Sequence, residues 1–275
     1  MTRSTPARAR TLCASGWLAV LLAVTTIATG CARAGDPMKR LQGAQQATLG
    51  AGSAAFAIEQ SFEGASSEVQ KIRTEGVLDF ARRIGRATVK LADGETEVLF
   101  AGDTTYFRLP PNPQVRTPWI RLDRQDIEKV SGLKSVADDP SRNLDLLNGI
   151  VGDVKPVGEE NVRGARTTHY RFAIDLRQAA QKASADRREV VEQQAAILGG
   201  NRLPSEAWLD AKGRIARQTF TFNLQKNQLP AGTAPPDGVS WTARTLIEYY
   251  DFGTKVDVKP PPDDQVTDFE APLGG

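Results

Sequence analysis

Three segments, IRTEGVLDF (Ile72–Phe80), RATVKL (Arg86–Leu91) and TEVLF (Thr96–Phe100), decide the fold of this chain. In each of them apolar or small side chains recur at every second position, which is the pattern of a β-strand with one buried face. The Asp93-Gly94 pair between the last two segments is typical of a tight hairpin turn. A glycine within the first strand, Gly76, predicts a bend. The sequence therefore predicts a curved antiparallel meander.

The same alternation recurs through most of the remaining chain. Further strands are predicted at 54–62, 104–109, 154–162, 166–174, 206–209, 215–224 and 241–249. Helices are predicted at 36–50, 139–150 and 175–198, each of which begins with an aspartate in the N-cap position. A single large antiparallel sheet with one apolar face must curl to bury that face, and the helices are what it can curl around. We therefore predict an α+β fold with one curved antiparallel sheet wrapped around helices.

The two ends of the chain are predicted to lie outside this domain, which spans residues 36–258. Residues 1–30 have three arginines and then an apolar run of signal-peptide length. Cys31 follows the small residues Ala28, Thr29 and Gly30, and this arrangement predicts a lipoprotein signal that is cut before an acylated cysteine, with 31–35 as a short tether. An ordinary secretory signal with an incidental cysteine is the alternative. The proline-rich segment 259–275 is predicted to be a flexible tail.

Composition excludes several classes of function. The full chain has 35 basic and 33 acidic residues, and loss of the signal would remove three arginines and no acid, leaving 32 against 33. Such a balance provides no positive patch for nucleic acid. The only cysteine besides Cys31 is Cys13, inside the signal, so the mature chain has no thiol for a Cys/His zinc site. We expect neither a nucleic-acid partner nor a metal nor a cofactor.

The sequence also offers few groups of residues that could form a catalytic site. The single histidine, His169, falls on the polar face of a predicted strand, and we interpret it as a solvated surface residue. Glu159 and Glu160 are adjacent on a strand and therefore point to opposite faces, so they cannot share a substrate. Asp139 is interpreted as a helix cap. A hydrolase is kept as an alternative, but the sequence favours a protein that is not an enzyme.

Several short motifs, taken in order and spacing, resemble one known family. They are Gly76–Phe80, Thr105–Arg108, Pro118–Ile120, Asp139-Pro140 before Leu144 and Leu147, Val157–Gly164, Thr168–Tyr170, Trp208–Asp210, Gly213-Arg214 and Tyr250–Gly253. On these motifs the chain resembles actinobacterial lipoproteins of the LppX/LprG type, which share the LolA-like fold. The resemblance covers most of the mature chain.

The resemblance implies a half-barrel sheet around helices with an apolar cavity between them. It also implies a lipoprotein on the outer face of the cytoplasmic membrane that carries or places acylated lipids or lipoglycans, without enzymatic activity, with an envelope transport protein as a further partner. The candidate cavity residues are Phe56, Ile58, Ile72, Leu78, Phe80, Val98, Phe100, Leu144, Leu147, Phe172, Ile174 and Ile247. Small residues among these large ones can leave void space, but they are also compatible with a filled core.

Two alternatives stay open at this point. A filled core would favour an envelope protein-interaction or sensor module on the same fold. Trp119, which follows a proline-rich loop, is compatible either with the mouth of a cavity or with a purely structural role that pins the loop to the sheet.

Overall fold

The computed structural model describes residues 36–64, 70–91, 94–109, 117–123, 139–183, 188, 191–192, 202–224 and 241–269. The predicted signal peptide, Cys31 and the tether lie outside the described residues, as does most of the proline-rich loop 110–118. No helix among the described residues is both long and apolar enough to span a membrane.

Twelve strands dominate the described part of the chain. They are β1 (Ser53–Gly64), β2 (Gln70–Asp79), β3 (Ile84–Leu91), β4 (Gly94–Ala101), β5 (Thr104–Arg108), β6 (Trp119–Asp123), β7 (Ile150–Val162), β8 (Ala165–Asp175), β9 (Arg202–Asp210), β10 (Ile215–Leu224), β11 (Trp241–Tyr250) and β12 (Val266–Asp268). They form one open sheet in the order β12-β6-β5-β4-β3-β2-β1-β11-β10-β9-β8-β7. The predicted meander is confirmed, since β2, β3, β4 and β5 pair antiparallel with their neighbours in sequence.

Close backbone approach at two glycines accompanies the curvature of this sheet. A Cβ atom on Gly76 would lie 2.2 Å from the carbonyl oxygen of Arg86 and 2.8 Å from the Cα atom of Ala87. A Cβ atom on Gly85, in the facing strand, would lie 2.6 Å from the carbonyl oxygen of Val77. Only glycine fits at such distances. The bend predicted at Gly76 therefore lies where the backbones of β2 and β3 come too close for a side chain on either glycine.

The helices begin where the aspartates predict. Helix α1 (Pro37–Leu49) is capped by Asp36, whose side chain accepts a hydrogen bond from the amide of Met38 at 3.0 Å. The segment Pro140–Gly149 is capped by Asp139 in the same way, although it forms a 3₁₀ helix. These caps satisfy amide groups that have no partner within the helix.

The third predicted helix is shorter than its sequence pattern indicates. Helix α2 (Leu176–Lys182) starts at the predicted cap Asp175 and ends at Ala183, which has an extended conformation. The prediction of one continuous helix to residue 198 is therefore wrong at Ala183, and most of 184–200 lies outside the described residues. Leu176 is the only large apolar side chain in the buried face of α2, so packing gives little reason for the helix to continue.

The C-terminal segment also differs from its prediction. Residues 259–275 were expected to be flexible, but a short 3₁₀ helix (Asp263–Gln265) leads into β12, which pairs in parallel with β6 at one edge of the sheet. Arg121 donates a hydrogen bond to Asp268 across this pair at 2.6 Å. The strand has only three residues, and its pairing depends on an edge far away in sequence, which a local pattern cannot indicate.

Candidate functional site

The candidate site is the inner face of the sheet, by which we mean the side that packs against α1 and the Pro140–Gly149 helix. All twelve predicted residues belong to one apolar cluster on this side. Ten are buried, namely Phe56, Leu78, Phe80, Val98, Phe100, Leu144, Leu147, Phe172, Ile174 and Ile247, whereas Ile58 and Ile72 are partly buried. Strand alternation and the predicted helix face therefore selected side chains that share one cluster, and their role in binding stays a prediction.

Three large apolar side chains of this face are only partly buried. Phe56, Leu78 and Ile247 are fully buried, with relative exposures of 0%. Ile58 and Ile72 lie further along their strands and are partly exposed, as is Phe222 on β10. We call this region, defined by Ile58, Ile72 and Phe222, the open end of the inner face. It is the part of the apolar surface that solvent or a ligand can reach.

The opposite part of the face is closed by helices that are fixed to the sheet through buried hydrogen bonds. Thr48, on α1, accepts a hydrogen bond from the amide of Ile215 at 2.9 Å and donates one to the carbonyl of Ala44 at 2.7 Å. Tyr249 donates its hydroxyl to the carbonyl of Pro140 at 2.8 Å. Burial raises the pKa of Tyr249 well above its ordinary value, so this tyrosine stays a neutral donor.

One polar side chain lies unpaired inside this apolar face. Gln218, on β10, is 0% exposed, and neither its Nε2 nor its Oε1 atom has a hydrogen-bond partner among the residues that the structure describes. It faces inward because β10 has an irregularity between Ile215 and Arg217, which places Ala216 and Arg217 together on the other side. Sequence analysis did not identify Gln218. The local signal was its position two residues before Phe220 in an alternating strand.

The outer face of the sheet carries an open recess of about 480 Å³. Its lining includes Ala55, Glu75, Val77, Arg86, Glu97 and Tyr250, which mix charged, polar and apolar groups. These residues alternate along their strands with the inner-face residues. The recess is therefore distinct from the apolar cavity that the sequence predicts, and its composition does not suit an acyl chain.

His169 also lies on the outer face, but it is buried. Its ring stacks on Trp208 with 4.0 Å between ring centroids and is only 4% exposed. Its Nδ1 atom lies 2.8 Å from Glu160 and its Nε2 atom 3.2 Å from Glu206. The prediction of a solvated histidine is therefore wrong, although the predicted face is correct. Trp208, directly opposite on β9, covers the ring, and this neighbour is not visible in the local sequence.

Trp208 and His169 together define the environment of the Glu160 carboxylate. The indole nitrogen of Trp208 donates to Glu160 at 2.9 Å, and this bond, together with the contact to His169, lowers the pKa of Glu160 despite partial desolvation. Glu159 points to the other face, as predicted, and pairs with Arg166 at 3.0 Å. The two glutamates therefore have separate partners, which agrees with the expectation that they point to opposite faces.

A second group of charges on the outer face centres on Glu248. Arg163 donates to it at 2.5 Å and Arg217 at 2.9 Å, while the residue itself is 6% exposed. Burial alone would raise the pKa of Glu248, but the hydrogen bonds from both arginines outweigh burial and lower it. These hydrogen bonds connect Arg163, which lies in the turn between β7 and β8, to β10 and β11.

Trp119 has a structural role. It packs on the outer face against Leu99 and Tyr106, and Val258 and Val266 from the C-terminal segment pack against the same cluster. The alternative that placed it at the mouth of a cavity finds no support, because Trp119 and the candidate cavity residues belong to separate clusters. Among the residues that the structure describes, no group of three or more metal-ligating side chains comes together.

Comparison with known proteins supports the fold. No family model matches the chain. A protein of Streptomyces griseus, described as an uncharacterized 31.2 kDa protein in the rplA-rplJ intergenic region, is 25% identical over 264 residues, covering 86% of this chain and 81% of that protein. The crystal structure of the Mycobacterium tuberculosis lipoprotein LppX is similar with a TM-score of 0.50 and 13% identity, over 81% of this chain and 98% of that one. LprF from Mycobacterium bovis aligns over 82% of this chain and 96% of its own, with a TM-score of 0.43 and 16% identity.

The likeness to LppX shows the fold of this chain. The resemblance to LppX/LprG-type proteins that the sequence motifs indicated is confirmed at that level.

Proposed function

We propose that this protein is an envelope lipoprotein that binds acylated lipids or lipoglycans on the inner face of its sheet and carries or places them across the envelope. It is exported by the signal at 1–30, cut before Cys31 and held at the outer face of the cytoplasmic membrane by acyl groups on that cysteine. The proposal is of a binding protein without catalytic chemistry, and its partners are the lipid, the membrane and an envelope transport protein.

The observation that carries this proposal is the incomplete burial of large apolar side chains on the inner face. A continuous apolar surface runs from fully buried Phe56 and Leu78 to the partly exposed Ile58 and Ile72. Gln60 and Thr245 lie among these residues at the end of the face, but the large apolar side chains of Ile58, Ile72 and Phe222 are not fully covered there. The likeness of the fold to LppX, which is itself a lipoprotein, supports the same interpretation.

The physical mechanism is passive transfer. Acyl chains enter at the open end and lie along the inner face, while the polar head group stays in water at the rim. Each buried methylene contributes about 0.8 kcal/mol, so about five methylenes contribute about 4 kcal/mol, or roughly a thousandfold in affinity. Release requires an acceptor membrane or protein that offers the chains a comparable apolar environment.

Native mass spectrometry with lipid extraction tests this proposal. The protein is produced in an actinobacterial host, once as the full chain and once with Cys31→Ala, which is expected to move it from the membrane to the soluble fraction. A discrete bound mass that extracts as an acylated lipid supports the proposal. Folded protein with a clean ligand-free mass would overturn it and favour the protein-interaction module.

A matched pair of variants shows where such a lipid lies. Thr245 is partly exposed on the inner face near the open end, and Arg244, the preceding residue on β11, is exposed on the outer face. Thr245→Trp is expected to fill the path of an acyl chain and reduce bound lipid at least tenfold, because the ring excludes several methylenes. Arg244→Trp adds the same ring on the other side and should leave lipid content unchanged. Equal lipid content in both variants would show that the lipid lies elsewhere.

A further inference from the structure

Gln218 is the most unusual residue of the inner face. A buried amide without hydrogen bonds is costly, and buried polar groups in folded proteins almost always have a partner. Here both polar atoms of the Gln218 side chain lack one among the described residues, although the side chain is 0% exposed. The group therefore has two N–H donors and one carbonyl acceptor that no described residue of the chain satisfies.

The strand register defines the surroundings of Gln218. Directly opposite it are Ala207 on β9 and Ile247 on β11, both of them apolar. One row nearer the open end lie Phe220 and its opposite residue Thr245, which is partly exposed. Two residues along a strand span roughly 7 Å, so Gln218 lies about that far from the row of Thr245, and partly exposed Ile58 lies in the row of Gln218 itself, opposite Ile247.

An ordered water molecule does not explain this position well. A buried water needs two to four polar partners. Ala207 and Ile247 offer no polar side-chain atom, and Ser205, diagonally opposite, donates its hydroxyl proton to the carbonyl of Leu203 at 3.0 Å, so that only its oxygen is left as an acceptor. A ligand carbonyl needs only one donor, and the Nε2 group of Gln218 provides it. The arrangement therefore suits a carbonyl oxygen held on an otherwise apolar molecule.

We propose that Gln218 is a specificity-determining residue that donates a hydrogen bond from Nε2 to the carbonyl oxygen of an acyl ester in the bound lipid. The inference rests on the proposed function and goes one step further, because it names the acyl ester carbonyl as the part of the lipid that the protein recognises. With the head group at the rim and the acyl chains along Phe56 and Leu78, the ester linkage between them lies at the depth of Gln218. The protein then discriminates acyl esters from lipids of equal length that lack a carbonyl.

A competition between an ester lipid and its ether analogue tests this inference. The full chain is incubated with vesicles that contain dipalmitoyl phosphatidylglycerol and its dihexadecyl ether analogue in equal amounts, and the protein is then re-isolated and extracted. Both lipids have the same head group and chain length, but only the ester has carbonyl oxygens. The wild type is expected to retain the ester about tenfold over the ether, as one net hydrogen bond allows.

Variants assign that preference to Gln218. Gln218→Met keeps the length of the side chain and removes the donor, so the ester-to-ether ratio should fall to about one while total lipid stays the same. Gln218→Leu provides a second apolar side chain in case the methionine variant folds poorly. Gln42→Met is the control, because Gln42 is exposed on α1, and it should keep the wild-type ratio.

Each outcome decides the inference. A wild-type ratio near one, as expected if Gln218 binds only a buried water, overturns it, and so does a tenfold ratio that persists in both Gln218 variants. If the wild type loads neither probe, the inference is also overturned, whereas the proposed function is then judged separately by the endogenous lipid found by mass spectrometry.

Discussion

The contact between Thr48 and Ile215 joins helix α1 to the sheet and offers a sharp test of how the inner face is closed. Thr48 is 0% exposed, and its hydroxyl accepts the Ile215 amide at 2.9 Å across 167 positions of sequence. Thr48→Val removes the hydroxyl and replaces it with a methyl group of similar size. The substitution therefore leaves the packing of α1 nearly unchanged and removes the hydrogen bond alone.

The expected cost follows from the amide that is left behind. Ile215 is itself 0% exposed, so its N–H loses its partner in a place that water does not reach. Leaving a buried donor unsatisfied costs about 1–3 kcal/mol. The Thr48 hydroxyl also donates a hydrogen bond to the carbonyl of Ala44, which lies within α1. Loss of this second hydrogen bond adds little to the cost in stability. We expect the free energy of unfolding to fall by about 2 kcal/mol, which lowers Tm by about 4–8 °C in a domain of this size.

Urea unfolding of the wild type, Thr48→Val and Thr48→Ser provides the measurement, together with hydrogen exchange of the Ile215 amide in the native state. Serine keeps the hydroxyl, so Thr48→Ser should lose only about 1 kcal/mol, the contribution of one methyl group. In Thr48→Val the Ile215 amide should exchange faster, with protection elsewhere in the sheet reduced only by the global change. If the valine variant is as stable as the serine variant, or if Ile215 stays equally protected, the hydrogen bond does not fix α1 to the sheet and the reasoning is refuted.

Two further predictions concern the sheet. Because the hydrogen bonds from Arg163 and Arg217 lower the pKa of Glu248 in the folded state, its stabilisation is fully present above the ordinary pKa of 4.5 and is lost as the pH falls through the lowered value. Glu248→Gln should therefore cost about 2 kcal/mol at pH 7, measured by urea midpoints, and this difference should shrink as the pH falls below 4.5 and through the lowered pKa, so a difference that stays constant at acidic pH would contradict this origin. Gly76→Ala should cost at least about 2 kcal/mol, because its Cβ atom would overlap the backbone of β3. The matched Gly158→Ala places a Cβ atom where nothing lies within 4 Å and should be nearly neutral in thermal unfolding, so equal losses in both variants would show that crowding at Gly76 is not the cause.

The sequence predicted the local structure of this protein well where the signal is local. Alternation of apolar residues identified the meander of β2 to β5, and ten candidate residues from strand patterns share one cluster with Leu144 and Leu147 from the predicted helix. Aspartate followed by proline identified the starts of α1 and of the helix at Pro140–Gly149. Both signals depend on residues a few positions apart, and the backbone geometry that produces them is the same in any fold.

The errors arise where a distant segment decides the outcome. His169 was placed on the correct face, but its burial depends on Trp208 across the sheet. The tail segment Val266–Asp268 was expected to be flexible, but it pairs with β6. In each case the partner is far away in sequence, so a local pattern contains no information about it.

By itself, the sequence determined most of the strands other than β6 and β12, the apolar side of those strands, and where the helices begin, because these follow from periodicity and capping. Only the tertiary structure decided the order of the strands, including the pairing of β1 with β11, and the isolation of Gln218 inside the inner face. Whether a buried amide has a partner depends on what several strands place around it at once. That is a property of the assembled sheet and of the irregularity in β10, and no single segment of the chain specifies it.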